Sequence, residues 1–140
     1  METTVLKEKG ELLFELKAKT TTITVKEFTR EGVRADYNFE GEVTGRYNAI
    51  NRATVSGLVK TDGTFEFEGR GVNMTREGDT VLVTFKGHGR NETPPVGRFE
   101  SEESYMTSSS RLAWLNDTKT HSEGSYNFLT GESSSKAYKK

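Results

Sequence analysis

Cysteine is absent from this chain of 140 residues, and proline occurs only twice. Without cysteine there is no disulfide framework, no thiol nucleophile and no thiolate metal site. Long apolar runs are missing too: none approaches the roughly 20 residues that a membrane helix needs. Charges at Glu2, Lys7, Glu8 and Lys9 leave the first residues without a signal-peptide core. These absences set the expectation of a soluble, cytoplasmic protein that makes no membrane contact. A dominant charge sign is also lacking, since 20 basic residues stand against 21 acidic ones. That balance provides no global attraction to nucleic acid, so no nucleic-acid partner is expected.

Apolar matter is scarce as well. Hydrophobic residues make up 31% of the chain, and mean hydropathy is -0.73. With unbalanced charge this would fit disorder. With balanced charge and 10% aromatic residues it fits a folded chain with one narrow apolar face per element. The length suits a single domain over residues 1–140, because two halves of about 70 residues would each have a marginal core. Residues 1–10 and the basic ending 136–140 are expected to be less ordered.

What the chain does contain is alternation punctuated by glycine. Phe39-Glu40-Gly41, Phe67-Glu68-Gly69 and Phe85-Lys86-Gly87 repeat one pattern, and Gly71 and Gly89 extend the last two copies. Each copy ends a period-two run, so phenylalanine and glycine share a strand face. Repeated same-face glycines point to sharp bending or close backbone approach. The cleanest run is Val33, Ala35, Tyr37, Phe39, Gly41 and Val43. Other strands are predicted at residues 11–19, 22–28, 46–60, 65–71, 81–89, 97–107, 118–129 and 135–139. Asp62-Gly63 reads as a type I′ hairpin turn, and residues 91–96, with Pro94-Pro95, read as a loop. Residues 108–116 are the one segment with a helical turn, holding Leu112, Ala113 and Leu115. About eight strands at hairpin spacing predict an all-β, single antiparallel barrel, with a β-sandwich as the alternative.

Chemistry-bearing motifs are few. The Gly-x-Gly pairs lie within strands with no helix after them, which excludes a phosphate loop. His88 falls on an outward face and His121 near a strand start; with no spaced carboxylates they make no metal site, and no cofactor is expected. Arg46, Arg52, Arg70, Lys86 and Arg90 are interleaved with Glu40, Glu42, Glu66 and Glu68, which reads as cross-strand pairing. Glu103 is the one catalytic candidate. Alternation sets it on the face of Phe99, Ser101 and Tyr105, where a carboxylate in an apolar pocket acts as acid, base or ligand anchor. A one-residue bulge would instead turn it out beside Glu100 and Glu102, and the sequence weighs towards that outward placement.

The stretch Gly63-Thr64-Phe65-Glu66-Phe67-Glu68-Gly69-Arg70-Gly71, then Gly87-His88-Gly89-Arg90, then Ser110-Arg111-Leu112-Ala113-Trp114-Leu115-Asn116 resembles small prokaryotic proteins with an allene-oxide-cyclase-like barrel. The resemblance covers about the last 80 residues. It implies an eight-stranded barrel, often oligomeric, whose lumen holds a small apolar molecule; it carries over no catalytic residue. Three functions follow as expectations. The first is a non-catalytic barrel or assembly module, its ligand-binding face made by Tyr37, Phe39, Phe67, Phe85, Phe99, Ser101, Glu103 and Tyr105, with Phe14 inward as well. The second is an isomerase or cyclase using Glu103. The third is a structural homo-oligomer covered through Leu13, Ile50, Leu58, Leu82 and Met106, apolar residues on nominally polar faces.

Overall fold

The computed structural model describes residues 9–140, in eight strands and one short helix. The strands are β1 (Leu12–Thr29), β2 (Gly32–Gly45), β3 (Ala49–Lys60), β4 (Thr64–Met74), β5 (Thr80–Thr93), β6 (Val96–Thr107), β7 (Lys119–Asn127) and β8 (Glu132–Lys139). A 3-10 helix, Ala113–Asp117, stands between β6 and β7. Each strand pairs antiparallel with the next, and β1 pairs with β8, so the sheet closes into one barrel. The fold is therefore the antiparallel eight-stranded barrel that the alternation predicts, and the sandwich falls away.

The Phe-x-Gly motifs explain the curvature. Those of β4 and β5 meet in register, Phe67 opposite Gly87 and Gly69 opposite Phe85. A Cβ on Gly87 would come within 2.6 Å of the Phe67 ring, and one on Gly69 within 2.5 Å of the Phe85 ring. Each glycine is thus the bed for a phenylalanine of the neighbouring strand, a device that lets a sheet coil tightly. Phe99 of β6 lies over Gly124 of β7 in the same way. The exchange runs between strands, not within one copy of the motif.

Several local expectations change. Residues 11–19 and 22–28 belong to one strand, because only β-branched Thr20 and Thr21 lie between them and β1 runs through; a register shift between Thr20 and Thr22 marks the irregularity. Beyond Lys19, β1 pairs with β2 alone, and Ile23, Val25 and Phe28 stand exposed. β3 begins at Ala49, not at residue 46, and Tyr47 in the preceding turn is buried. Of the 91–96 loop only Pro94-Pro95 is left as the connection, since β5 runs to Thr93 and β6 starts at Val96. The Asp62-Gly63 hairpin forms, but not as type I′. Gly63 alone takes positive φ, 88°, and Asp62 instead accepts hydrogen bonds from the Thr64 N–H and hydroxyl. The result is a three-residue loop closed by a left-handed glycine.

At the ends, residues 1–8 of the segment expected to be less ordered lie outside the described residues. Residues 136–139 form the end of β8 and do not extend as a solvated tail: Lys136 pairs with Glu15 of β1 and Glu123 of β7 in the ladder. The dense core sits at one end of the barrel. There the 3-10 segment inserts Leu112 and Leu115 against Leu13, Phe14, Tyr47 and Val81. Leu115 and Val81 are fully buried. Leu13 is therefore part of this plug and covers no subunit contact. Ser109 Oγ accepts from the Leu112 N–H at 3.3 Å, which ties the entry to the helix.

Candidate functional site

A cavity of about 180 Å³ fills the barrel between this plug and the far end, where Val59, Phe65 and Phe128 line it. The eight residues expected on the binding face all reach it. Tyr37 and Phe39 come from β2, Phe67 from β4, Phe85 from β5, and Phe99, Ser101, Glu103 and Tyr105 from β6. Phe14 of β1 joins them. Their rings pack edge to face, Phe67 on Phe99 at 5.6 Å and Phe39 on Tyr126 at 5.7 Å between centroids. Such pairs fix the wall, since the ring edge of one meets the negative face of the other.

Glu103 points inward, against the preference drawn from the sequence. β6 keeps its alternation without a bulge from Gly97 to Thr107, so no register slip turns the carboxylate out. Three hydroxyls hold it. Ser101 donates to Oε2 at 2.5 Å, while Thr120 and Ser122 of β7 donate to Oε1 at 2.7 and 2.6 Å. Since the single Thr120 proton goes to Glu103, Tyr105 must be the donor in its 2.6 Å bond with Thr120. A directed chain Tyr105→Thr120→Glu103 results. Burial pushes the Glu103 carboxyl above its ordinary range, and the three hydroxyl bonds offset only part of that push. Burial also drives the Tyr105 hydroxyl up, with the Glu103 charge adding to it, so this phenol stays protonated.

A second polar group lies near the plug. Asn73 Nδ2 donates to the Tyr47 hydroxyl and Asn51 Nδ2 to Asn73 Oδ1, both at 2.7 Å, leaving Asn51 Oδ1 without a partner. Sequence reasoning missed Asn51, Asn73, Thr120 and Ser122. The signal was present: Asn51 alternates with Ala53 and Val55, and Thr120 and Ser122 alternate with Gly124 and Tyr126, all inward positions.

The outer face carries the remaining candidates. His88 is exposed beside Glu100 at 3.5 Å, and His121 lies 3.8 Å from both Glu100 and Glu102. Among the described residues no group of three His, Cys, Asp or Glu side chains is spaced to hold a metal. No helix among them is long and apolar enough to cross a membrane. Ile50, Leu82 and Met106 are exposed, and the ladder joins them to Val72 and Met74 in one apolar band across β3 to β6. Leu58 stands apart, facing out between Arg34 and Glu66.

No family model and no curated protein sequence matches the chain. Solved structures do match. A protein of unknown function from Clostridium acetobutylicum superposes with a TM-score of 0.80 at 17% identity, covering 93% of this chain and 97% of its own. A β-barrel-like protein from Acinetobacter baumannii gives 0.72 at 19% identity, over 92% and 93% of the two chains. An enzyme from Penicillium herquei gives 0.64 at 17%, over 97% and 99%. At these identities the likeness shows the barrel fold. Of the resemblance drawn from the sequence, these likenesses support the barrel.

Proposed function

We propose that this barrel binds a small, largely apolar molecule in its interior, with the polar end of the ligand at Glu103. The observation that carries the reading is the cavity itself. It holds about 180 Å³ behind a largely aromatic and aliphatic wall, with polar clusters at Glu103 and at the Asn51–Asn73 pair. An apolar void of about 150 Å³ in a protein core is enough to take up benzene. Ligand pockets share this pattern of apolar walls with a few convergent polar groups. Toluene and indole are suitable neutral probes. Each is expected to raise the melting temperature, by an amount that grows with the logarithm of its concentration above Kd. Val55→Phe, which fills the cavity from β3, is expected to abolish the rise. A melting temperature that ignores both compounds at millimolar concentration would defeat the proposal.

The hydroxyl chain supports a second reading, an acid–base isomerase or cyclase. A carboxyl lifted by burial and fed by a directed Tyr105→Thr120→Glu103 chain is suited to exchanging a proton with a bound molecule. The Penicillium herquei neighbour, described as an enzyme, is consistent with catalysis on this fold. Acetophenone in deuterated water separates the two readings. Deuterium entering its methyl group with wild type but not with Glu103→Gln marks an enzyme; no exchange above the buffer rate marks a binder.

A further inference from the structure

We propose that the cavity selects small amphipathic amines, held as ammonium ions against the Glu103 carboxylate; this rests on the reading of the cavity as a binding site. The first ground is the charge of the wall. Among the described residues that line the cavity there is no lysine, arginine or histidine, and Glu103 is the charged side chain turned into it, since Glu66 at the rim is exposed and paired with Lys60 at 3.6 Å. The four lining tyrosines, Tyr37, Tyr47, Tyr105 and Tyr126, are all pushed upward chiefly by burial and stay neutral. An anionic ligand would meet a buried carboxylate and no counter-charge, which is unfavourable in a low-dielectric interior.

The second ground is the hydrogen-bond inventory at Glu103. An ionised carboxylate offers about four acceptor positions. Thr120 and Ser122 occupy Oε1, and Ser101 alone occupies Oε2. The position left over is an acceptor that a donor on the ligand can fill. An ammonium group supplies up to three donors together with a positive charge that no lysine or arginine of the cavity lining provides. The third ground is the aromatic lining of the same cavity. Phe14 packs edge to face with both Tyr47 and Tyr105, at 5.1 and 5.9 Å between centroids. Aromatic rings of this kind attract a cation to their faces while their bodies take up the apolar part of the ligand.

Three probes of one shape test the assignment: 2-phenylethylamine, 2-phenylethanol and phenylacetate, titrated calorimetrically into the full chain at pH 7. The amine is expected to bind about ten-fold tighter than the alcohol, as a charge-assisted bond implies, and phenylacetate is expected to give no saturable heat. Glu103→Gln is expected to bring the amine down to the level of the alcohol, removing the amine's advantage measured in the same protein. The ranking in wild type decides even where the variant folds poorly. Phenylacetate or the alcohol binding as tightly as the amine overturns the ammonium assignment and leaves the binding function standing. An amine preference that survives in a folded Glu103→Gln does the same. Silence from all three probes overturns the binding reading and this inference with it.

Discussion

At Gly87 the space that a methyl group would need is already occupied. Its Cβ would stand 2.6 Å from the Phe67 ring and 2.7 Å from Ser101 Cβ, both packed against the barrel wall. Gly87→Ala is therefore expected to destabilise the fold by about 1–3 kcal/mol, as overpacking does, read as a lower urea midpoint with an unchanged slope. Glu103 makes a prediction about pH. Its folded-state value is raised above the ordinary 4.5, so protonation is linked to folding. The stability it contributes is full below pH 4.5 and is lost as pH rises through the raised value. The difference in melting temperature between wild type and Glu103→Gln should move in favour of glutamine over that interval; a difference independent of pH would contradict the buried placement. Both residues also show what a single strand can reveal. The alternation already grouped Glu103 with Phe99 and Tyr105, but a one-residue slip that turns it outward was the placement the sequence favoured. What fixes the glutamate inside is Thr120 and Ser122 on β7, partners set by pairing across strands and invisible within β6.

The elements repeat this division between local and non-local information. The helical turn was legible because Ser108 to Ser110 precede a short apolar cluster, and the 3-10 helix Ala113–Asp117 forms close to that place. Its role as a plug was not legible, since its partners Leu13, Tyr47 and Val81 come from three other parts of the chain. Leu115→Ala, at a fully buried position, is expected to cost about 2–5 kcal/mol, measured by chemical denaturation; a loss under 1 kcal/mol would mean that the segment only rests on the barrel end. The plug is also tied electrostatically. Arg111 pairs with Asp79 in the β4–β5 turn and with Glu77 at 3.0 Å, while Ser109 and Thr75 donate to Asp79. The Arg111 bond, then those of Ser109 and Thr75, bring the Asp79 carboxyl down to about 2. Stability from this group is present above its ordinary 3.8 and drains as pH falls towards 2. Acid melting curves of Asp79→Asn should therefore be flatter than those of wild type over that interval, and parallel curves would dissociate the turn from acid stability. The uninterrupted β1 was misread for a related reason. Three threonines in a row look like a break, yet β-branched residues are good strand formers and need only a bulge to continue.

For the whole molecule, the decisive contact is the pairing of β1 with β8. Seven of the eight strand pairings join consecutive strands, and this one alone closes the ring. Deleting residues 132–140 would leave the edges of β1 and β7 open, each a template for pairing with another chain. The expected outcome is loss of a cooperative melting transition and growth of light scattering on standing; a soluble truncated chain with the wild-type transition would contradict it. The closing pair also has a consequence in time. Thr20 donates to the Gly131 carbonyl across a separation of 111 residues. The hairpins can therefore form one after another as the chain emerges during synthesis, but β1 waits with a bare edge until the eighth strand arrives. Ring closure is therefore expected to be the slow event of folding, since the loop-closure entropy of a distant pairing must be met first. In the interval before it, the bare β1 edge is expected to be most open to pairing with another chain.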